Sequence, residues 1–291
     1  TGAGDADAVD RFDRALCSHI GYAISNFFRA TWLAWSYGRT ARPPFRDASR
    51  RYYRHASRLS AALALLADLT MALLGGELKR RERLSARLGD MLSQLYLASA
   101  VFKRFHDEGR QQEDWPLAEW ALADALQRAE VALSELLANF PLPALGRILR
   151  LLLLPFGPQL RRPSDRLDKA VAELLITPGP ARERLGQGQY LTPDPGNAVG
   201  VLQQTLSDAI KAEKLVKRVA GVRGQAVPFM RLDELADEAL ARAEINSDEA
   251  ALLRRFEQGR LRAINVDDFE PAALAAGAAP AYQGQTPDMQ R

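Results

Sequence analysis

Cysteine and histidine are the residue types here that bind metal ions most readily, and two of them stand close together. Cys17 and His19 are two positions apart. A structural zinc site needs four such ligands at short spacings, whereas His55 and His106 lie in other predicted helices with no cysteine beside them. We therefore predict no metal site. Cys17 is also the single cysteine of the chain, which excludes an internal disulfide and is typical of a reducing compartment.

Two glycines close together, Gly186 and Gly188, invite comparison with a phosphate-binding loop. Such a loop follows a strand and opens a helix, so that backbone N–H groups point at the phosphate. Here the glycines follow a short helical stretch and lead into the segment YLTP at 190–193. We predict a tight turn. No other spacing in the sequence indicates a catalytic or cofactor-binding site.

The densest run of positive charge stands at the start of a predicted helix, and we name it the basic cluster. Its members are Lys79, Arg80, Arg81, Arg83 and Arg87. Cations are unfavourable at a helix N-terminus because of the helix dipole. A solvated helix face, an acidic partner and an anionic membrane surface all remain possible interpretations. Nucleic acid is disfavoured because no aromatic residues interleave for base stacking and the net charge of +3 is mild.

A short apolar segment between prolines, PALGRILRLLLLPF at Pro143–Phe156, is the second candidate surface. Its helical period places four apolar residues on one face: Leu145, Ile148, Leu149 and Leu152. Two cations stand opposite: Arg147 and Arg150. Such a helix suits a membrane interface. Burial against a helical bundle is equally compatible with the pattern, because further leucines widen the apolar arc.

Apolar residues at three- and four-residue steps, punctuated by glycine and proline, predict an all-α protein. Four long helices are expected in the first half, forming an antiparallel bundle with short connections. Their predicted spans are residues 7–36, 47–74, 79–110 and 114–140. The third would be one rod of about 45 Å. The first carries a stripe expected to pack in the bundle: Phe12, Leu16, Ile20, Ala23, Phe27 and Phe28.

The second half has a different texture, since prolines divide it into short and medium helices. These are predicted at 143–154, 164–176, 181–185, 198–220, 229–244 and 247–263, with a loop at 187–197. We expect a bundle over residues 1–140, an accessory helical subdomain over 141–269 and a disordered tail over 270–291, which is rich in Ala, Gly, Pro and Gln. No apolar run is expected to be long enough to span a bilayer.

Several long segments resemble one known family, the C-terminal region of the large bacterial acyl-CoA dehydrogenases of fatty-acid degradation. The longest is LKRRERLSARLGDMLSQLYLASAVFKRFHDEGR at Leu78–Arg110. The others are Leu63–Gly76, Pro163–Lys169, Gly186–Pro193, Leu232–Leu240 and Ile264–Phe269. The resemblance extends from about Ala8 to Phe269.

The resemblance implies that this chain accompanies a catalytic domain and has no catalytic centre of its own. Those enzymes use FAD to remove two hydrogens from a fatty acyl-CoA, and their flavin site and catalytic glutamate precede this region, the glutamate in a Val-Glu-Gly context. The Glu-Gly pair here, Glu108-Gly109, follows Asp107 and does not match. By resemblance, the chain is therefore the non-catalytic C-terminal part of such an enzyme, with FAD bound elsewhere and none expected on this segment.

The resemblance further implies three partners: the catalytic half of the same enzyme, a second copy in a homodimer, and the cytoplasmic surface of the inner membrane, where long-chain acyl-CoA is available. The alternative hypothesis is a free-standing helical scaffold that binds an acidic partner through the basic cluster, Lys79 to Arg87. Sizing separates the two hypotheses, because a severed half exposes an apolar docking face and associates.

Overall fold

A computed structural model describes residues 2–194, 196–224 and 232–264, with side chains from residue 8 onward. Within those ranges it contains ten α-helices and no strand, which confirms the all-α prediction. The helices are α1 (Gly2–Trp35), α2 (Arg50–Leu74), α3 (Glu82–Asp107), α4 (Trp115–Ala138), α5 (Pro143–Leu153), α6 (Asp165–Ile176), α7 (Pro180–Gly186), α8 (Ala198–Arg223), α9 (Leu232–Ala241) and α10 (Ser247–Ile264).

The chain divides into two compact units, residues 1–175 and residues from 176 onward. The boundary predicted at residue 140 lies inside the first unit, because α5 packs on both α4 and α1. A hydrogen bond also ties α6 to α4, since Trp120 Nε1 donates to Asp168 Oδ1 over 2.6 Å. The tail predicted to be disordered, residues 270–291, lies outside the described residues.

The first unit is built around the leucine-rich faces of α2, α3 and α4. These helices pack on one another, and α1 packs on α2. Aromatic residues also pack at this core, and the rings of Tyr53 and Phe102 stack with centroids 3.8 Å apart. The largest fully buried side chains of the unit come from these helices and from α5: Leu59, Leu66, Met91, Leu122, Leu126, Leu133, Leu136 and Leu153. The antiparallel order of the four helices stays a prediction.

The single long rod predicted from residue 79 to 110 is wrong at its start. Gly75, with φ of +48°, ends α2, and a 3₁₀ turn follows over Gly75–Arg80. Arg81 leaves helical geometry, with φ of −93° and ψ of +64°, so α3 begins at Glu82. The regular helix is therefore about 39 Å long. Positive φ at a glycine is a common way to end a helix, and the 3₁₀ turn that follows takes up residues 79 and 80, which were predicted to belong to the rod.

A buried ion pair connects α2 with α4 inside the apolar core of the first unit. Arg58 Nη2 donates to Glu130 Oε1 over 2.5 Å. The other carboxylate oxygen, Oε2, accepts the backbone N–H groups of Gln159 at 2.8 Å and Leu160 at 2.6 Å. Glu130 thus satisfies the chain that follows α5 as well as its arginine. Buried charge requires this degree of pairing.

The connection between α4 and α5 depends on close backbone contact. A Cβ atom at Gly146 would lie 2.8 Å from the carbonyl oxygen of Leu137 and 2.9 Å from Cβ of Phe140. Glycine therefore lets the first turns of α5 lie against the end of α4. Leu149 and Leu153 on the same side of α5 are buried in the core.

The second unit has a smaller core, formed where α8, α9 and α10 meet. Its buried residues include Val219, Leu232, Leu235, Leu253 and Phe256. α8 and α10 approach closely, since a Cβ at Gly259 would lie 2.3 Å from the hydroxyl oxygen of Thr205. Arginine–carboxylate pairs also connect this unit: Arg255 of α10 pairs with Asp208 of α8, and Arg223 of α8 pairs with Glu244 in the α9–α10 connection.

One helical stretch, Arg50–Arg80, is long and apolar enough to cross a membrane by length and composition. The expectation that no apolar run has this length is therefore wrong. Alanines, threonine and glycines extend the leucine run to Gly76, and Asp68 is the one charged residue between Arg58 and Glu77. One face of this stretch is buried in the core of the first unit, through Leu59, Leu65 and Leu66. A core helix passes the same test of length and composition, so the finding is weak evidence for a membrane span.

Candidate interaction surfaces

Residues 9–27 of α1 carry a row of exposed apolar side chains, which we name the α1 stripe. The members recur at three- and four-residue steps: Val9, Phe12, Leu16, Ile20, Ile24 and Phe27. Their exposed fractions run from 37% for Phe27 to 64% for Phe12. Surface apolar residues are usual when scattered, whereas a contiguous row indicates a contact surface.

The prediction that this face packs inside the bundle is therefore wrong for its large side chains. Phe12, Leu16, Ile20, Phe27 and Phe28 are exposed, and Ala23 alone of the predicted set is half-buried. Full burial on α1 begins only at Asn26 and continues with Ala30, Leu33 and Ala34. The period indicated an apolar face correctly, but no described element of this chain covers the large apolar side chains between Phe12 and Phe28.

The apolar face predicted on α5 is divided between the core and the solvent. Leu149 is 3% exposed, and Leu145 and Leu152 are half-buried against the same core. Ile148 and Leu151, by contrast, are 56% and 60% exposed. Leu149 is therefore a core residue and not the contact residue that was predicted. The apolar arc of α5 is wider than one helix face, so part of it packs in the core and part faces solvent.

Two arginines accompany the exposed residues of α5. Arg147 and Arg150 are both exposed, and Arg150 Nη1 donates to Ser134 Oγ over 3.4 Å. Beyond the C-terminal end of α5, the exposed rings of Phe156 and Trp35 meet edge to face with centroids 6.3 Å apart. We name Ile148, Leu151 and Arg147 the α5 surface.

The basic cluster borders an open depression of about 380 Å³, which we name the arginine pocket. Its lining consists of Arg80, Arg81, Glu82, Arg83, Leu84, Arg87, Asn139 and Pro141. Lys79 is exposed in the neighbouring 3₁₀ turn and does not line it. The sequence did not indicate Asn139 or Pro141 as site residues. The one available signal was that Pro141 stands two positions before α5.

Ion pairs compensate only part of the charge around the pocket. Arg87 Nε lies 3.6 Å from Glu135 Oε2, and Arg80 Nη1 lies 3.1 Å from Glu77 Oε1. Arg81 and Arg83 are exposed and form no ion pair within the described part of the chain. The pocket is also where the chain passes from α4 to α5. The structure thus places the basic cluster beside the connection that leads into α5.

The residues considered for metal and phosphate binding lie on an exposed helix face and in a turn. Cys17 and His19 are exposed on α1, and among the described residues no three Cys, His, Asp or Glu side chains converge on a metal-sized site. Gly186 ends α7, and Gln189 N donates to its carbonyl oxygen over 3.1 Å. This confirms the predicted tight turn, with φ of +86° at Gly188.

Comparison with known proteins gives one family. The sequence model described as acyl-CoA dehydrogenase, C-terminal, bacterial type, matches residues 1–269. No solved structure matches the chain.

Proposed function

Because the chain belongs to the family of bacterial-type acyl-CoA dehydrogenase C-terminal domains, we propose that it is the accessory part of an FAD-dependent dehydrogenase of long-chain acyl-CoA in β-oxidation. In this role it docks on the catalytic half of the enzyme, which holds the flavin and the catalytic base. The family match favours this role over the free-standing scaffold. The observation that supports docking is the α1 stripe.

Burial of the α1 stripe supplies the driving force for docking. Six large apolar side chains stand exposed along about 27 Å of helix. Each contributes about 1.5–3 kcal/mol when it is fully buried, and association costs offset part of that sum. The catalytic half is the occupant that the family membership supplies. A homodimer that places α1 against a second copy is the competing arrangement.

Substitution on the stripe tests this role. Phe12→Glu with Ile20→Glu places two charges on the α1 stripe, and Ser18→Glu with Ser25→Glu places two charges on exposed positions of the opposite face of the same helix. We expect the first pair to abolish co-purification with the separately expressed catalytic half, and the second pair to preserve it. Equal co-purification of both variants would contradict docking through α1.

Two further measurements use the same proteins. Light scattering of each variant without the catalytic half reports self-association, so a dimer that is lost only in the stripe variant indicates a second copy as the occupant. Absorbance in the flavin region tests the division of labour. A purified chain that carries bound FAD would contradict an accessory role.

A second proposal is association with the cytoplasmic surface of the inner membrane. The α5 surface supports it, because exposed Ile148 and Leu151 stand beside Arg147 on the helix that follows the arginine pocket. An amphipathic helix with cations at its polar edge binds anionic lipid surfaces in this way. A membrane position would shorten the path of a long-chain acyl-CoA that partitions into lipid.

Vesicle co-sedimentation tests the membrane proposal with matched charges. We expect Ile148→Glu with Leu151→Glu to abolish binding to vesicles that contain phosphatidylglycerol. The control is Leu92→Glu with Leu97→Glu, two exposed leucines on α3, which should leave binding unchanged. Leu149 is unsuitable for this test because its substitution would disrupt the core. Unchanged co-sedimentation of the α5 variant with the vesicles would contradict the membrane proposal.

A further inference from the structure

We propose that the arginine pocket binds a phosphate group, carried by a lipid headgroup or by a soluble phosphorylated molecule. The inference deepens the membrane proposal by naming the chemistry that the basic cluster recognises. It rests on the shape, charge and backbone of the site where the 3₁₀ turn, the start of α3 and the α4–α5 connection meet.

The charge of the pocket is concentrated and incompletely paired. Four arginines and one glutamate line it, for a net formal charge of +3. Arg80 and Arg87 have carboxylate partners at 3.1 and 3.6 Å. Arg81 and Arg83 form no ion pair in the described ranges of the chain. Two guanidinium groups are thus available to an incoming anion.

The local backbone adds to the positive potential. α3 is 26 residues long, and its N-cap residue, Arg81, makes no side-chain capping hydrogen bond. The backbone N–H groups of Arg81 and Leu84 already donate to carbonyl oxygens, but the helix dipole at this end still favours an anion. Arginines at this position repel the dipole, and a bound anion would relieve that repulsion.

The side-chain chemistry favours phosphate over a single carboxylate. Guanidinium groups are planar donors that pair with phosphate oxygens two at a time. A phosphate offers several acceptor oxygens around one centre, so it can contact more than one arginine of an open pocket at once. The depression of about 380 Å³ is open to solvent, and it stands where the chain enters the helix that carries the α5 surface.

Calorimetric titration of the whole chain with pyrophosphate tests the pocket directly. The variant is Arg81→Gln with Arg83→Gln, two exposed positions that form no ion pair among the described residues. The control, Lys211→Gln with Lys214→Gln on α8, removes the same charge from exposed positions of the second unit. We expect wild type and control to bind equally, and the variant to bind about tenfold more weakly or worse. Circular dichroism checks that both variants remain helical.

Two further arms identify the source of the phosphate. Loss of binding to mixed phosphatidylcholine–phosphatidylglycerol vesicles in the Arg81–Arg83 variant alone indicates a lipid headgroup. Loss of binding to coenzyme A, with vesicle binding unchanged, indicates a soluble molecule. Either result, together with weakened pyrophosphate binding, supports the pocket.

The inference is overturned if wild type does not bind pyrophosphate, or if the Arg81–Arg83 variant binds it as tightly as the control. This failure is distinguishable from failure of the membrane proposal. Pyrophosphate titration does not involve Ile148 or Leu151, whereas vesicle binding of the Ile148–Leu151 variant does not test the pocket.

Discussion

Among the described residues, the most deeply buried carboxylates of the two compact units, Glu130 and Asp208, are paired in different environments. Glu130 in the first unit is 1% exposed and its partner Arg58 is 3% exposed. Asp208 in the second unit is also 1% exposed, but the side chain of its partner Arg255 is 53% exposed. Asp208 receives two donors from that arginine, at 2.7 and 2.8 Å, and a third from Gln204 at 3.2 Å.

The two pairs differ in whether water can solvate the arginine when its carboxylate is removed. An arginine left alone inside the first unit would be a charge without solvation, which is costly. Arg255 can turn toward solvent, and salt screens its attraction to a carboxylate. Water therefore cannot replace the partner of Glu130, whereas it can replace the partner of Asp208.

The placement of tryptophan allows the two units to be followed separately. All four tryptophans, Trp32, Trp35, Trp115 and Trp120, belong to the first unit. Their fluorescence reports the unfolding of that unit, whereas far-ultraviolet circular dichroism reports the helices of both units.

The largest effect is expected for Glu130→Gln. It leaves Arg58 buried without a counter-charge and weakens the acceptor of Gln159 and Leu160. The free energy of unfolding of the first unit should fall by about 3–5 kcal/mol, with little dependence on salt. Urea denaturation followed by tryptophan fluorescence measures it. The control, Glu135→Gln, removes a solvent-exposed partner of Arg87, and a comparable loss there would contradict the distinction between buried and exposed pairs.

The next largest effect is expected at His55, whose protonation should lower the free energy of unfolding as the pH falls. Burial, and then the positive charge of Arg58, lowers the pKa of His55 from 6.5 to about 4. The unfolded chain therefore takes up the proton first, and stability falls as pH drops from about 6.5 to about 4, by up to about 3 kcal/mol. His55→Gln should flatten that part of the profile, measured by tryptophan fluorescence.

The control for this profile is His19→Gln, at an exposed position of α1. We expect it to keep the wild-type slope. A profile of His55→Gln that still falls steeply between those pH values would show that another group is responsible.

The smallest effect is expected for Asp208→Asn in the second unit. The amide still accepts a hydrogen bond, and Arg255 can be solvated, so the loss should be about 1 kcal/mol. It should shrink further in concentrated salt, because the lost interaction is partly screened in wild type. Thermal melts followed by circular dichroism at low and high salt measure it. A loss as large as that of Glu130→Gln, with no dependence on salt, would contradict the comparison.

Local signals predicted the helices well. Proline at 143 and the leucine period placed α5 within one residue of its observed end, and Asn197 and Gly224 flank α8 at its two ends. The start of α3 was predicted three residues too early, because the 3₁₀ turn at Gly75–Arg80 leads almost directly into the helix. Apolar period measures which face is apolar, and it does not detect a turn that preserves that face.

The candidate surfaces were predicted in part. The sequence identified the basic cluster and the α5 helix as charged and apolar candidates. It did not indicate which leucines of α5 are buried, because Leu149 and Ile148 are the same kind of residue one position apart. Nor did it indicate that Asn139 and Pro141 line the same pocket as Arg83.

By itself, the sequence determined the helical class, most of the helix ends and the family to which the chain belongs, because period, breakers and long matching segments are local properties of the chain. Only the tertiary structure decided which apolar faces are covered. In the described structure the α1 stripe is exposed and Leu149 is buried. Arg58 is paired with Glu130 inside the core, and the basic cluster lies beside the entry to α5. Burial and proximity depend on which helices pack together, and residues far apart in the chain decide that packing.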